Sequence, residues 1–206
     1  MTTATQTVRM TKAQIPEAGA ALARAFHDDP LITYILSDEA RRPSALRWFM
    51  TAAARYGHAY GEVHTTEGRV DGCAIWLPPG DVKVTLPRMI RAGLWAAPFT
   101  FGIGALGRFL NATDFYEKLH EQAMPEPHWY LMVLGVDTPR QGQGVGGALT
   151  QPVLARADAA GMPCYLETNK TRNVPFYEKQ GFSVVMEGDI PKGGPRYWTM
   201  RRAPKT

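Results

Sequence analysis

An apolar run, a glycine-rich turn, a helical pattern and a second apolar run follow one another between residues 129 and 168, and this succession restricts the fold more than any other part of the chain. Trp129 to Val136 (WYLMVLGV) is almost continuously apolar, as a strand covered on both faces must be. Gly144 to Ala160 carries a helical pattern closed by Gly161, and Pro163 to Thr168 is a short strand. Strand, helix and strand with so few residues between them make a βαβ unit, whose right-handed crossover requires parallel strands. Pro152 lies inside the helix, where it removes the bond to the Ala148 carbonyl and is expected to kink the first turns at a cost of about 3 kcal/mol.

The other segments fit around this unit. Thr7 to Met10 is a short strand, and Ile15, Ala18, Leu22 and Phe26 then form one helical stripe that ends in a loop at His27-Asp28-Asp29-Pro30. Ser44 to Tyr60 aligns Leu46, Phe49, Ala53 and Tyr56 on a second helix, and Gly61 opens a hairpin that turns at Glu67-Gly68. After the βαβ unit come a short helix from Pro175 to Gln180 and strands from Phe182 to Ile190 and Arg196 to Arg201. The expected class is α/β (α+β), in one domain spanning residues 1–206. Residues 84–125 form an aromatic, glycine-rich, mostly helical insertion within it, read either as a cover on the sheet or as the wall of a variable pocket.

Composition narrows the partners. A chain of 206 residues that is 45% hydrophobic can bury a substantial core. Its net charge of +4 suits an anionic ligand, but the 23 basic residues are scattered, which argues against nucleic acid. Cys73 and Cys164 each sit in an apolar run and read as two buried free thiols, as a reducing compartment favours. MTTATQTVRM lacks the apolar core of a signal peptide, and the longest uncharged stretch, Ala92 to Gly107, is interrupted by Pro98. The expectation is a cytoplasmic enzyme with no membrane contact.

Gln141-Gly-Gln-Gly-Val-Gly-Gly147 places four glycines in six residues, so backbone N–H groups at a helix start can approach a phosphate or pyrophosphate. Gly142, Gly144 and Gly147 satisfy the dinucleotide-binding pattern, with Glu167 about twenty residues further on. However, five residues separate Val136 from Gly142, and only 39 residues follow Glu167, too few for a doubly wound sheet. A tight turn with no ligand is the plainest alternative. Gln141-x-x-Gly144-x-Gly146 between a strand and a helix resembles the acetyl-coenzyme A signature of the GCN5-related N-acetyltransferases (GNAT). Asn173-Val-Pro-Phe-Tyr177-Glu-Lys-Gln-Gly181-Phe182 is similar to a second segment of that superfamily, in the right order. Residues 128–202 look most like the puromycin N-acetyltransferase branch, while the N-terminal half matches only in element order.

The resemblance implies a mixed sheet of about seven strands with helices on both faces, whose parallel fourth and fifth strands splay apart to admit coenzyme A. It implies that the pantetheine runs along Met132 to Val136, that Leu134 or Val136 offers a backbone N–H to the oxyanion, and that Gln141, Gly142, Gln143, Gly144, Val145, Gly146 and Gly147 cradle the pyrophosphate. No metal is implied. Acetyl transfer requires a neutral amine, an oxyanion donor and a group that steadies the leaving sulfur. Tyr177 corresponds to the family's tyrosine beside that sulfur, and as a phenol of pKa near 10 it acts chiefly by hydrogen bonding to the thiolate. Glu167, at a strand end, is the first base; burial or a relaying water must adapt its carboxylate, and a purely structural acceptor is the alternative. His128, Tyr130, Asp28 or water are other bases.

Asn173 stands four residues before Tyr177 rather than the commoner seven, and is expected to cap the short helix, contact the pantetheine, or both. His27, Asp28 and Asp29 read as a loop rather than a metal site. His58, His64 and His120 read as surface or satisfied core residues. The acceptor is expected to be a small-molecule amine, with a protein N-terminus, or a coenzyme-binding module without turnover, as alternatives. Trp95, Phe99, Phe101, Phe109 and Phe115 suit an aromatic acceptor, core packing or the contact of a homodimer.

Overall fold

The computed structural model describes residues 5–205. The ends of the expected 1–206 domain, and the first residues of the segment read for a signal peptide, lie outside them. Seven strands form one sheet: β1 (Thr7–Arg9), β2 (Glu62–Thr66), β3 (Gly72–Leu77), β4 (Trp129–Val136), β5 (Cys164–Thr168), β6 (Ser183–Asp189) and β7 (Arg196–Arg202). Their order is β1-β2-β3-β4-β5-β7-β6, and β4 with β5 is the parallel pair in an otherwise antiparallel sheet.

Pairing of β4 with β5 covers Trp129 to Leu131 on one strand and Cys164 to Leu166 on the other. Past Leu131 the two strands separate, while β4 stays paired with β3 as far as Val136. An edge of β4 is thereby left without a strand partner in the middle of the sheet.

Alternation along β3 distributes the core. Cys73 and Ile75 face helices α1 (Ile15–Ala25) and α3 (Arg42–Tyr60), whereas Ala74 and Trp76 pack with Leu149 and Val153 of α7 (Val145–Ala159). Helices therefore cover both faces. Helix α7 runs through Pro152 without a break. Cys73 and Cys164 are buried and unpaired, and burial pushes both thiols up to about 12. Among the described residues no helix is long and apolar enough to cross a membrane.

One segment departs from the sequence expectation. The loop read at His27-Asp28-Asp29-Pro30 is immediately followed by a further helix, α2 (Pro30–Ile35), whose first turn is capped by Asp29 accepting from the Leu31 N–H at 3.0 Å. An aspartate before a proline at the first helical position is a helix start, and that local signal outweighs the loop reading. The insertion comprises α4 (Leu86–Arg91), α5 (Ala97–Phe101) and the long α6 (Ile103–Ala123). Its aromatic residues divide: Phe101 packs edge-on against Trp48, Phe49 and Phe109, Phe115 packs on Tyr197, and Trp95 and Phe99 are exposed.

Candidate active site

The separation of β4 from β5 opens two hollows, a cleft of about 530 Å³ at the glycine loop and a cavity of about 910 Å³ beneath the insertion. Phe26, Asp29, Leu134, Asn173 and Tyr177 line both, so these five residues form the boundary between them.

On the cleft side the loop after β4 is held from two directions. Arg24 of α1 donates to both carboxylate oxygens of the buried Asp137, at 2.8 and 2.7 Å, and holds that carboxyl below its ordinary range. Gln141 turns back to donate its amide to the Val136 carbonyl at 3.0 Å. Gly142 and Gly144 adopt φ of 75° and 80°, which a residue with a β-carbon rarely does. A β-carbon on Gly146 would stand 3.1 Å from Phe176, whereas one on Gly147 would meet nothing within 4 Å.

The predicted binding residues therefore fall into groups. Val136, Gln141, Gly142, Gly144 and Gly146 line the cleft. Val145 also reaches the lining but its side chain is buried, so its backbone alone is available to a ligand. Gln143, which turns its amide to the Pro139 carbonyl, and Gly147, inside α7, are not part of that lining. Asn173 does not cap α8 (Val174–Glu178) with its side chain; it donates instead to Thr168 Oγ1 at 2.9 Å, across the turn that leads out of β5.

Four basic residues surround this cleft. Arg140 is paired with Asp71 at 3.0 Å and Lys170 with Asp28 at 2.9 Å, while Arg172 and Lys179 have no ion pair among the described residues. Sequence reading passed over Lys170, Arg172 and Lys179, although their spacing around the Asn173 to Phe182 segment was a usable signal.

The cavity has the opposite character. Apolar side chains such as Ile35, Phe49, Met89 and Phe109 share its wall with the carboxylates of Asp29, Glu117, Glu121 and Glu167. Burial pushes the Glu167 carboxyl up to about 7, with the hydroxyls of Tyr130 and Tyr165 pulling weakly the other way. Glu167 Oε1 is buried and has no hydrogen-bond partner among the described residues, and neither does the Tyr165 hydroxyl. Tyr177 is buried at the boundary, and desolvation, assisted by the nearby Asp29, pushes its phenol well up.

The alternative bases separate clearly. Asp28 is exposed, engaged by Lys170 and absent from the cavity lining, so its neighbour Asp29 takes the inner position; burial pushes the Asp29 carboxyl up. His128 and Tyr130 line the cavity, as does His120, which α6 carries in from the insertion. Periodicity could place His120 on a helix but not over a cavity formed by β4 and β5.

Residues 101–182 match the family model of the acetyltransferase (GNAT) family. That stretch, which holds β4, the glycine loop, α7, β5 and α8, is where the chain matches the GNAT acetyltransferases. Among curated relatives it is 28% identical over 173 residues to an uncharacterised N-acetyltransferase of Schizosaccharomyces pombe, covering 81% of this chain and 69% of the relative. Its fold is similar to that of histone acetyltransferase HPA2 and related acetyltransferase from Corynebacterium glutamicum, with a TM-score of 0.72, 23% identity and 98% and 97% of the two chains covered. Arylalkylamine N-acetyltransferase 2 from Aedes aegypti is similar at a TM-score of 0.60 and 12% identity, with 98% and 100% covered. Seen as a GNAT sheet, the divergence of β4 from β5 past Leu131 is the architectural feature from which both hollows follow.

Proposed function

We propose that this GNAT acetyltransferase transfers an acetyl group from acetyl-coenzyme A to a primary amine of a small molecule, by direct attack with both substrates bound. The observation that carries this reading is the meeting of a cationic cleft and a carboxylate-bearing apolar cavity at one wall containing Tyr177. A polyanionic donor is drawn to the first, and an amphiphilic ammonium to the second.

The cleft fits the donor. Gly142 and Gly144 hold the loop in a conformation open to a diphosphate, Gly146 lets the backbone approach closely, and Arg172 and Lys179 offer unpaired positive charge. Bound acetyl-coenzyme A supplies the activated thioester. The backbone N–H groups from Gly142 to Gly147, with the side chains of Gln141 and Gln143 shaping the loop, hold its pyrophosphate. Leu134, Val136 and Asn173 hold the pantetheine along the free edge of β4, with a backbone N–H of Leu134 or Val136 directed at the acetyl oxygen. Tyr177 donates a hydrogen bond to the departing sulfur. Glu167, with a carboxyl that titrates near neutrality, takes a proton from the acceptor's ammonium. The insertion belongs to the same catalytic domain, since Phe109, Ala112, Tyr116 and His120 of α6 wall the acceptor cavity.

A thiol-release assay with acetyl-coenzyme A and a panel comprising phenethylamine, tryptamine, puromycin, kanamycin and a peptide with a free N-terminus tests the reading. Turnover on a small amine and none on the peptide is the expected result. Preference for the peptide would replace the small-molecule acceptor. Calorimetric binding of acetyl-coenzyme A with no turnover on any amine would make the chain a binding module.

A further inference from the structure

His120 Nε2 lies 2.6 Å from His128 Nε2, and His128 Nδ1 lies 2.6 Å from the carbonyl oxygen of Glu126. A carbonyl can only accept, so His128 Nδ1 donates to it. A neutral His128 then presents a bare Nε2, to which His120 Nε2 must donate. This leaves His120 Nδ1 as the bare nitrogen of a ring that lines the acceptor cavity.

The surroundings extend the chain in both directions. The His120 ring stacks on Tyr165 with centroids 4.2 Å apart and meets Tyr130 at 4.5 Å, and these two tyrosines are the hydroxyl neighbours of Glu167. At the other end Glu126 is partly exposed and paired with Arg201 at 2.7 Å. Glu117 and Glu121, on the same helix as His120, line the same cavity, and Glu121 is engaged by Lys83 at 2.7 Å.

The reaction creates a need for such a path. An ammonium and a thioester give an amide, a free thiol and one proton, so one proton must leave the cavity in each cycle. We propose that the His120–His128 pair is the proton exit of the acceptor cavity. The proton collected by Glu167 passes through the Tyr130 hydroxyl to His120 Nδ1, the Nε2 proton of His120 shifts to His128, and the Nδ1 proton of His128 leaves to water at the Glu126 end. Each ring ends in its other tautomer and a ring flip restores it. Burial holds both imidazoles below their ordinary pKa, with His128 adding to the effect at His120 and Arg201 adding to it at His128, so the pair conducts a proton rather than storing one.

The inference rests on the amine-acceptor reading, and its test separates the two. His120→Phe keeps an aromatic ring on Tyr165 and deletes both nitrogens, while His120→Ala leaves room for added imidazole. With phenethylamine, tryptamine and puromycin as acceptors, both variants are expected to lose about tenfold in kcat with little change in the KM for acetyl-coenzyme A, and imidazole is expected to restore His120→Ala. Nitrogen-15 spectra of the wild-type protein are expected to show one Nε2 proton shared by two neutral rings at pH 7. Wild-type kcat in His120→Phe from pH 6 to 9, no rescue of His120→Ala, or two independently protonated rings would overturn the exit alone. A wild-type protein inactive on all three amines would overturn the acceptor reading and the exit with it.

Discussion

Arg24 and Asp137 join the first helix to the residue that follows β4, through two hydrogen bonds of 2.8 and 2.7 Å on a carboxylate that is 2% exposed. The glycine loop begins only a few residues later, so this pair fixes where the loop leaves the sheet. Arg24→Ala strands a buried carboxylate with Arg69 at 3.8 Å as its remaining ion-pair partner. A destabilisation of about 2 kcal/mol is expected in urea melts, together with weaker acetyl-coenzyme A binding by calorimetry. Because the folded protein depresses the Asp137 carboxyl, its stabilising contribution is complete above the ordinary carboxylate range and disappears as pH falls through the depressed value. Arg24→Ala should therefore lose less stability at pH 3 than at pH 7.

Glu167→Gln removes the proposed base while preserving shape. A loss of about 10²-fold or more in kcat is expected, and the wild-type rise of kcat with pH through about 7 should vanish in the variant. Stability should move in the opposite direction. A carboxyl raised from 4.5 to about 7 by folding penalises the folded state increasingly as pH rises through that window, so the variant should gain roughly 3 kcal/mol over wild type at pH 8 and little at pH 4. An equally active Glu167→Gln enzyme would return Glu167 to a structural role.

Tyr177→Phe leaves the ring in its place between the hollows and deletes one hydroxyl. Turnover should fall about 10- to 100-fold while the calorimetric affinity for acetyl-coenzyme A changes less than about threefold, because the lost interaction strengthens only as the sulfur departs. Unchanged kcat would remove Tyr177 from the reaction.

The glycines of the loop should separate on substitution. Gly146→Val forces side-chain atoms against Phe176 and is expected to weaken acetyl-coenzyme A binding at least about tenfold. Gly147→Ala points into open space within α7, keeps its N–H, and should raise stability by up to about 1 kcal/mol with binding intact. Thermal melts and calorimetry on the two proteins distinguish these outcomes.

The free cations at the cleft give a salt-dependent signature. Arg172→Glu with Lys179→Glu should weaken acetyl-coenzyme A binding at low ionic strength about tenfold, and the difference from wild type should shrink as salt screens the field. Affinities that respond identically to salt in both proteins would show that these side chains do not face the donor.

Local pattern made much of this architecture readable. The apolar run from Trp129 to Val136, the helix closed by Gly161 and the strand ending at Thr168 are short-range signals, and the fold carries each of them within a residue or two. The short helix at Pro30 was also written locally, in Asp29-Pro30, but its loop-like composition masked it. Asp28 in place of Asp29 as the inward carboxylate was the consequence, since a loop does not say which of two adjacent side chains points inward.

From residue order alone came the strands, the crossover that makes β4 and β5 parallel, the glycine-rich turn between β4 and its helix, and the two motifs that resemble GNAT enzymes. All of these depend on neighbours within a few residues, where steric and hydrogen-bonding preferences act directly. Tertiary structure decided the rest: the separation of β4 and β5 past Leu131, the burial of Glu167 Oε1 without a hydrogen-bond partner among the described residues, and the meeting of His120 with His128 and Tyr165. Solvent exclusion and proximity between distant segments set these properties, and burial is a property of the packed chain rather than of any one stretch of it.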